Sequence, residues 1–173
     1  MEETYSNKSY RGLWLDEESE YEDLLKKLLT QQDIETNSHL NNNIGLAYFE
    51  LSNKKEAYIY LKKSIEISPL NFNAHINLTD YLLAYEGIEK VEDHFKQMLK
   101  SNIDKEQVQF NWALKLGENK NYSEALKAYK VLFKTYPNEQ YLKNQAYLYK
   151  ETGQKELEKQ IWKEINALKK TNA

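Results

Sequence analysis

Cysteine is absent from the 173 residues, which excludes disulfide frameworks, thiolate metal sites and cysteine nucleophiles. Glycine and proline are scarce, at five and two, so the chain lacks the turn residues that an all-β fold consumes. Scarce glycine also removes phosphate cradles: neither G-x-G-x-x-G nor G-x₄-G-K-[ST] occurs, and G-x-S-x-G is missing too. Histidine occurs three times, as His39, His75 and His94, with no H-E-x-x-H spacing. No stretch approaches the ~18 consecutive apolar residues that read as a membrane span. Where the apolar part of a secretory signal would lie, the chain has Asp16, Glu17, Glu18, Glu20, Glu22 and Asp23. These absences predict a cytoplasmic protein that is not an enzyme, needs no cofactor or metal, and does not enter a membrane.

What is present is a globular balance, 40% apolar and 29% charged residues, over a length that supports a core without staples. The net charge of −3 argues against nucleic acid as a partner. Charge is uneven: residues 1–37 hold ten acidic and four basic side chains, and residues 139–173 hold five and seven. This is read as two solvated ends, or as an acidic end that steers a basic partner.

A period runs through the chain. Pro69 and Pro137 lie 68 residues apart, as do Ala57 and Ala125, and Asn43, Asn77 and Asn111 step by 34. With helical apolar spacing, such a period marks stacked helical hairpins. A first unit from Ser38 places Ile44 and Gly45 at positions seven and eight, Tyr48 at eleven, Ala57 at twenty, Leu61 at twenty-four and Pro69 at thirty-two. The second, from Phe72, offers Leu78, Thr79, Leu82, Val91 and Phe95; the third, from Glu106, offers Trp112, Ala113, Leu116, Ala125, Tyr129 and Pro137; the fourth, from Glu139, offers Ala146, Tyr149 and Gly153. Small residues at positions eight and twenty suit two helices that approach closely, and each proline ends a second helix.

This register resembles the tetratricopeptide repeat, W-x₂-L-G-x₂-Y, then A-x₃-F, then P, over residues 38 to about 170. The first unit is the best match. The second is degenerate, with Thr79, Val91 and Ile103 at the glycine, alanine and proline places, and Asn41, His75, Gln109 and Leu142 stand where the tryptophan belongs. The resemblance implies an all-α protein: an α-solenoid of antiparallel helical hairpins in a right-handed superhelix. The expected organisation is a single domain over 1–173, with repeats at 38–71, 72–105, 106–138 and 139–171. Residues 5–37 form either a degenerate fifth unit, with Gly12, Leu15, Tyr21, Leu24 and Leu28 in its register, or one capping helix. At the other end Leu157, Ile161, Trp162, Ile165 and Leu168 form one face, read as a cap.

The resemblance also implies function. In that family the first helices line a concave groove that holds an extended peptide or a partner helix. Position six reads Asn43, Asn77, Asn111 and Asn144. An amide offers donors and an acceptor on one short arm, so the four form either a ladder for a partner's backbone or a set of local bonds. Position two adds His39, Asn73 and Gln107, and position nine adds Leu46, Asp80, Leu114 and Tyr147. The lysines of the family's chaperone-tail clamp are missing, with Asn42, Leu46, Gln107 and Asn111 in their places. The function expected is non-enzymatic binding of a protein or extended peptide. The alternatives are a dedicated secretion chaperone or toxin-neutralising immunity protein, and a self-assembly module that forms a weak homo-oligomer.

Overall fold

Short polar side chains start the helices. In the computed structural model, which describes residues 18–171, Asn37 accepts a hydrogen bond from the Leu40 amide at 3.0 Å, Asn71 from Ala74 at 3.3 Å, Asp104 from Gln107 at 2.8 Å and Asn138 from Gln140 at 2.9 Å. Each satisfies one of the amides that a helix N-terminus leaves open. The helices they cap are α2 (Ser38–Glu50), α4 (Phe72–Tyr85), α6 (Lys105–Glu118) and α8 (Glu139–Glu151). Their partners are α3 (Lys54–Ile67), α5 (Ile88–Lys100), α7 (Tyr122–Thr135) and α9 (Lys155–Thr171), and α1 (Glu18–Leu29) precedes them all. No strand occurs among the described residues. The stretch with Gly12, Leu15, Asp16 and Glu17 lies outside them, so of the proposed N-terminal unit only α1 is described.

Each turn between the two helices of a hairpin contains one residue in the left-handed region: Ser52 (φ 57°), Gly87 (φ 97°), Lys120 (φ 61°) and Gly153 (φ 71°). Two of the four are glycine, for which this conformation carries no Cβ penalty. The chain divides into two compact units, residues 1–94 and 95–173, with the boundary inside α5.

In the first unit, α1 lays Leu24 and Leu28 against Leu40 and Ile44 of α2. Leu29 of the same helix is exposed. The α2–α3 crossing is tight: a Cβ on Gly45 would stand 2.8 Å from Leu61 Cγ and 2.9 Å from the Leu61 backbone nitrogen. Ala57 is fully buried nearby on the same second helix. At the open end of this hairpin a buried polar cluster replaces apolar packing. Ser38 Oγ bonds the Ser64 carbonyl at 2.9 Å, Ser64 Oγ donates to the Ser38 carbonyl at 2.7 Å, and Asn71 Nδ2 donates to Ser38 Oγ at 2.7 Å. Asn41, in the tryptophan place, is buried and ties down the α1–α2 loop by donating to the carbonyls of Ile34 and Asn37.

In the second unit the core joins Ala113 and Leu116 of α6, Ala125, Leu126, Tyr129 and Leu132 of α7, and Tyr141, Leu148 and Tyr149 of α8. Buried Phe95 meets Trp112 with ring centroids 5.3 Å apart, and the Tyr141 hydroxyl donates to Glu106. On α9 only Ile165 is fully buried; Leu157 and Trp162 are exposed. The apolar face expected to close the array is therefore half open on this helix.

Gly45→Ala is expected to destabilise the protein by about 1–3 kcal/mol, the cost of overpacking a fixed backbone approach. Trp112→Ala, which strips the partner from Phe95, should cost about 3 kcal/mol, at the low end for a large aromatic because Trp112 is only partly buried. Both are read from urea unfolding midpoints, and a Gly45→Ala protein as stable as the parent would contradict the crossing described here.

Candidate functional site

The first-helix positions expected to meet a partner do not form one kind of surface. His39, Gln107 and Tyr147 are exposed, while Leu46, Asn73, Asp80, Asn111, Leu114 and Asn144 are half-buried. Asn43 and Asn77 are buried, at 1% and 2% exposure. Asn77 spends its Nδ2 on Asn42 Oδ1 at 2.9 Å, and Asn111 spends its own on the Gln107 carbonyl one turn back at 2.9 Å. The Asn77 amide bonds inward, to an Asn42 that is itself buried. Ile76 of α4 is fully buried core.

On the exposed side of α2 and α4, burial and then the Asp80 charge hold the Glu50 carboxyl above the usual range. That places two carboxylates near one another on this face.

The second unit gathers three of the expected residues around a cavity of about 170 Å³. Leu114, Asn144 and Tyr147 line it, joined by Gly117 and Glu118 of α6, Tyr129 of α7 and Leu148 of α8. Asn144 accepts a hydrogen bond from Gln140 Nε2 at 3.0 Å through Oδ1. Its Nδ2 is buried and faces the Tyr129 phenol. Burial pushes the Tyr129 phenol up, opposed by the neighbouring Asn144 amide, so the hydroxyl stays protonated. Glu118 reaches back to the buried Lys115 ammonium at 2.7 Å. Tyr129 was read only as core, and nothing in its spacing separates a core tyrosine from one that also floors a cavity.

A histidine pair in the first unit was also hidden in the sequence. His75 on α4 and His94 on α5 approach to 3.0 Å through Nδ1 and Nε2, and His75 Nε2 lies 2.9 Å from the Pro69 carbonyl. The carbonyl only accepts, so neutral His75 carries its proton on Nε2 and accepts from His94 Nε2 through Nδ1. Burial lowers both pKa values, that of His94 to about 4, with His75 and the Lys62 ammonium adding to the effect on His94. His39 is not part of this pair. Among the described residues no group of three or more His, Cys, Asp or Glu side chains could hold a metal, and no helix is long and apolar enough to cross a membrane.

Residues 38–69 match the model of the tetratricopeptide repeat. Solved structures of MamA are similar in fold over most of the chain. One crystal structure of MamA superposes with a TM-score of 0.59 at 12% identity, covering 89% of this chain and 91% of that one. The chain has the tetratricopeptide-repeat fold. MamA from AMB-1 gives 0.55 at 17% identity, covering 88% and 92%, and MamA from residue 41 onward of Desulfovibrio magneticus RS-1 gives 0.58 at 12%, covering 87% and 86%. No curated protein matches the chain.

Because His94 titrates near pH 4 when folded and near ~6.5 when unfolded, the unfolded state binds the extra proton first. Stability is therefore expected to fall as pH drops from ~6.5 toward 4 and to lose no more from this group below that, by up to about 3 kcal/mol. Comparing parent with His94→Gln, which keeps a donor for His75, at pH 7 and pH 4.5 isolates the effect from carboxylate protonation. The variant should lose less stability between the two. Gly117→Ala is expected to raise stability by about 0.5–1 kcal/mol, since the helical backbone there accepts a Cβ; a thermal melt checks it.

Proposed function

We propose that the protein is a non-enzymatic protein-binding module whose first-helix faces take an extended segment of a partner. Residues 38–71, 72–105, 106–138 and 139–171 are its repeat units in this reading. The observation that carries it is the tetratricopeptide-repeat fold combined with side chains left open on the first helices. Tyr147 is 59% exposed, unusual for an aromatic with no function at a surface. His39 and Gln107 are exposed beside it in kind, with half-buried Leu46, Asn73, Asp80 and Leu114 supplying apolar and polar contacts. The face of α2 and α4, with Glu50 near Asp80, favours a basic side chain of the partner. In the second unit the face of α6 and α8 carries the cavity and favours an apolar one.

The experiment starts from tagged full-length protein used to capture partners from native lysate, followed by titration of the purified partner. Tyr147→Ala and Leu46→Glu are each expected to weaken binding about tenfold, the effect of losing one well-placed interface contact. Circular dichroism confirms that the variants fold. Folded variants of both faces that bind as tightly as the parent would move the interface off the first helices.

A further inference from the structure

A buried imidazole is stable only when the partner of each ring nitrogen suits that nitrogen's protonation state. In the first unit two rings meet this demand through each other. His75 of α4 spends Nε2 on the Pro69 carbonyl at 2.9 Å, and its Nδ1 lies 3.0 Å from Nε2 of His94 on α5. The ring centroids are 5.1 Å apart. The pair thus joins the loop after α3, the first turn of α4 and the middle of α5. It does so with a single hydrogen between the facing nitrogens.

Added protons work against this arrangement. A proton on His75 Nδ1 sets two N–H groups face to face at 3.0 Å, with no acceptor between them. A proton on His94 Nδ1 leaves the bond intact but places an imidazolium on a half-buried ring against a buried one, where desolvation disfavours charge. The charge that reaches both rings is the Lys62 ammonium of α3, and it repels further positive charge. Among the described residues no carboxylate joins it in acting on either ring. Burial and these neighbours hold both rings toward the neutral form while they stay together. Parted and hydrated, each ring takes a proton near its ordinary pKa of ~6.5.

Packing alone does not call for histidine at this place. The fourth unit has Leu142 there, buried as plain core. What the histidine adds is a dependence on protons.

We propose that the His75–His94 pair is an acid-released catch between α4 and α5: below about pH 6 both rings take up a proton and part, and the α4–α5 hairpin opens locally while the chain stays largely helical. Opening takes up protons, so falling pH drives it. The number of protons is the signature. With two bound in the open form and none in the closed one, the opening constant rises by about sixtyfold between pH 6 and pH 5, the square of the roughly eightfold rise that one histidine gives.

The test follows amide hydrogen exchange of the full-length protein at pH 7, 6 and 5, with the intrinsic exchange rate divided out. Amides of α4 and of residues 88–94 should lose about sixtyfold in protection from pH 6 to pH 5, with the circular dichroism still that of a helical protein. His94→Gln keeps a donor for His75 and removes one titrating ring, so its loss should be about eightfold smaller than the parent's. Carboxylate protonation is common to both proteins and cancels in that ratio. Should His94→Gln not fold, His75→Leu, the solution of the fourth unit, replaces it with the same expectation. A parent that keeps its protection at pH 5, or loses no more than the single-histidine variant, overturns the proposal. So does a parent that loses its helix signal by pH 5, because the opening is then that of the whole chain.

Discussion

The hairpin crossing is the constraint that the rest of the fold obeys. Where α2 meets α3, no side-chain atom fits between Gly45 and the backbone of Leu61. Two helices that close set the spacing of everything mounted on them, because interiors pack at crystal-like density and do not absorb even one extra methylene freely. The third and fourth hairpins relax the rule by one methyl group, with Ala113 facing the α6–α7 core and Ala146 buried on α8. Larger residues then find their places around these crossings: Leu61 in the first hairpin, Tyr129 and Leu132 in the third. Within the first unit, α2 comes near both α3 and α4, which is how residues 26 and 35 positions apart come to share hydrogen bonds.

The repeat period was readable because it is written in residues with strong local consequences. Proline stops a helix wherever it occurs in one, and small residues at a close crossing have few substitutes. First helices accordingly begin at residues 38, 72, 105 and 139. The tryptophan place was less readable, since three of its four residues answer it in different ways. Asn41 tethers a loop, His75 joins a histidine pair and Leu142 is plain core. Amide side chains were the hardest to read. Asparagine at position six has the same identity whether it faces a partner or a neighbour, and the choice depends on what the next helix presents. In the first unit the neighbour is Asn42, and the bond turns inward. In the second, Asn144 finds Gln140 for its oxygen and the Tyr129 phenol beside its nitrogen.

The two units thus differ in what they offer. The first ties buried polar groups to one another through the serine–asparagine cluster and the histidine pair. The second keeps a cavity and a helical glycine in one place. Fold and helix register were within reach of sequence reasoning; the cavity was not, because a void has no residue type of its own. It is recorded only by what surrounds it, and Gly117 at position twelve is the faint signal it leaves.

The cluster of Ser38, Ser64 and Asn71 has a consequence for how the molecule opens. Asn71 belongs to the next hairpin, where its Oδ1 caps α4, yet its Nδ2 closes the open end of the first through Ser38. One side chain thereby holds the end of α3, the start of α2 and the start of α4 at once. Fraying of the first hairpin at that end removes the cap of the second, so the two lose protection against solvent exchange together rather than one turn at a time. A linear array whose neighbours share a clasp of this kind unfolds across the joint as a single step, and the smallest cooperative element there is a pair of hairpins rather than one.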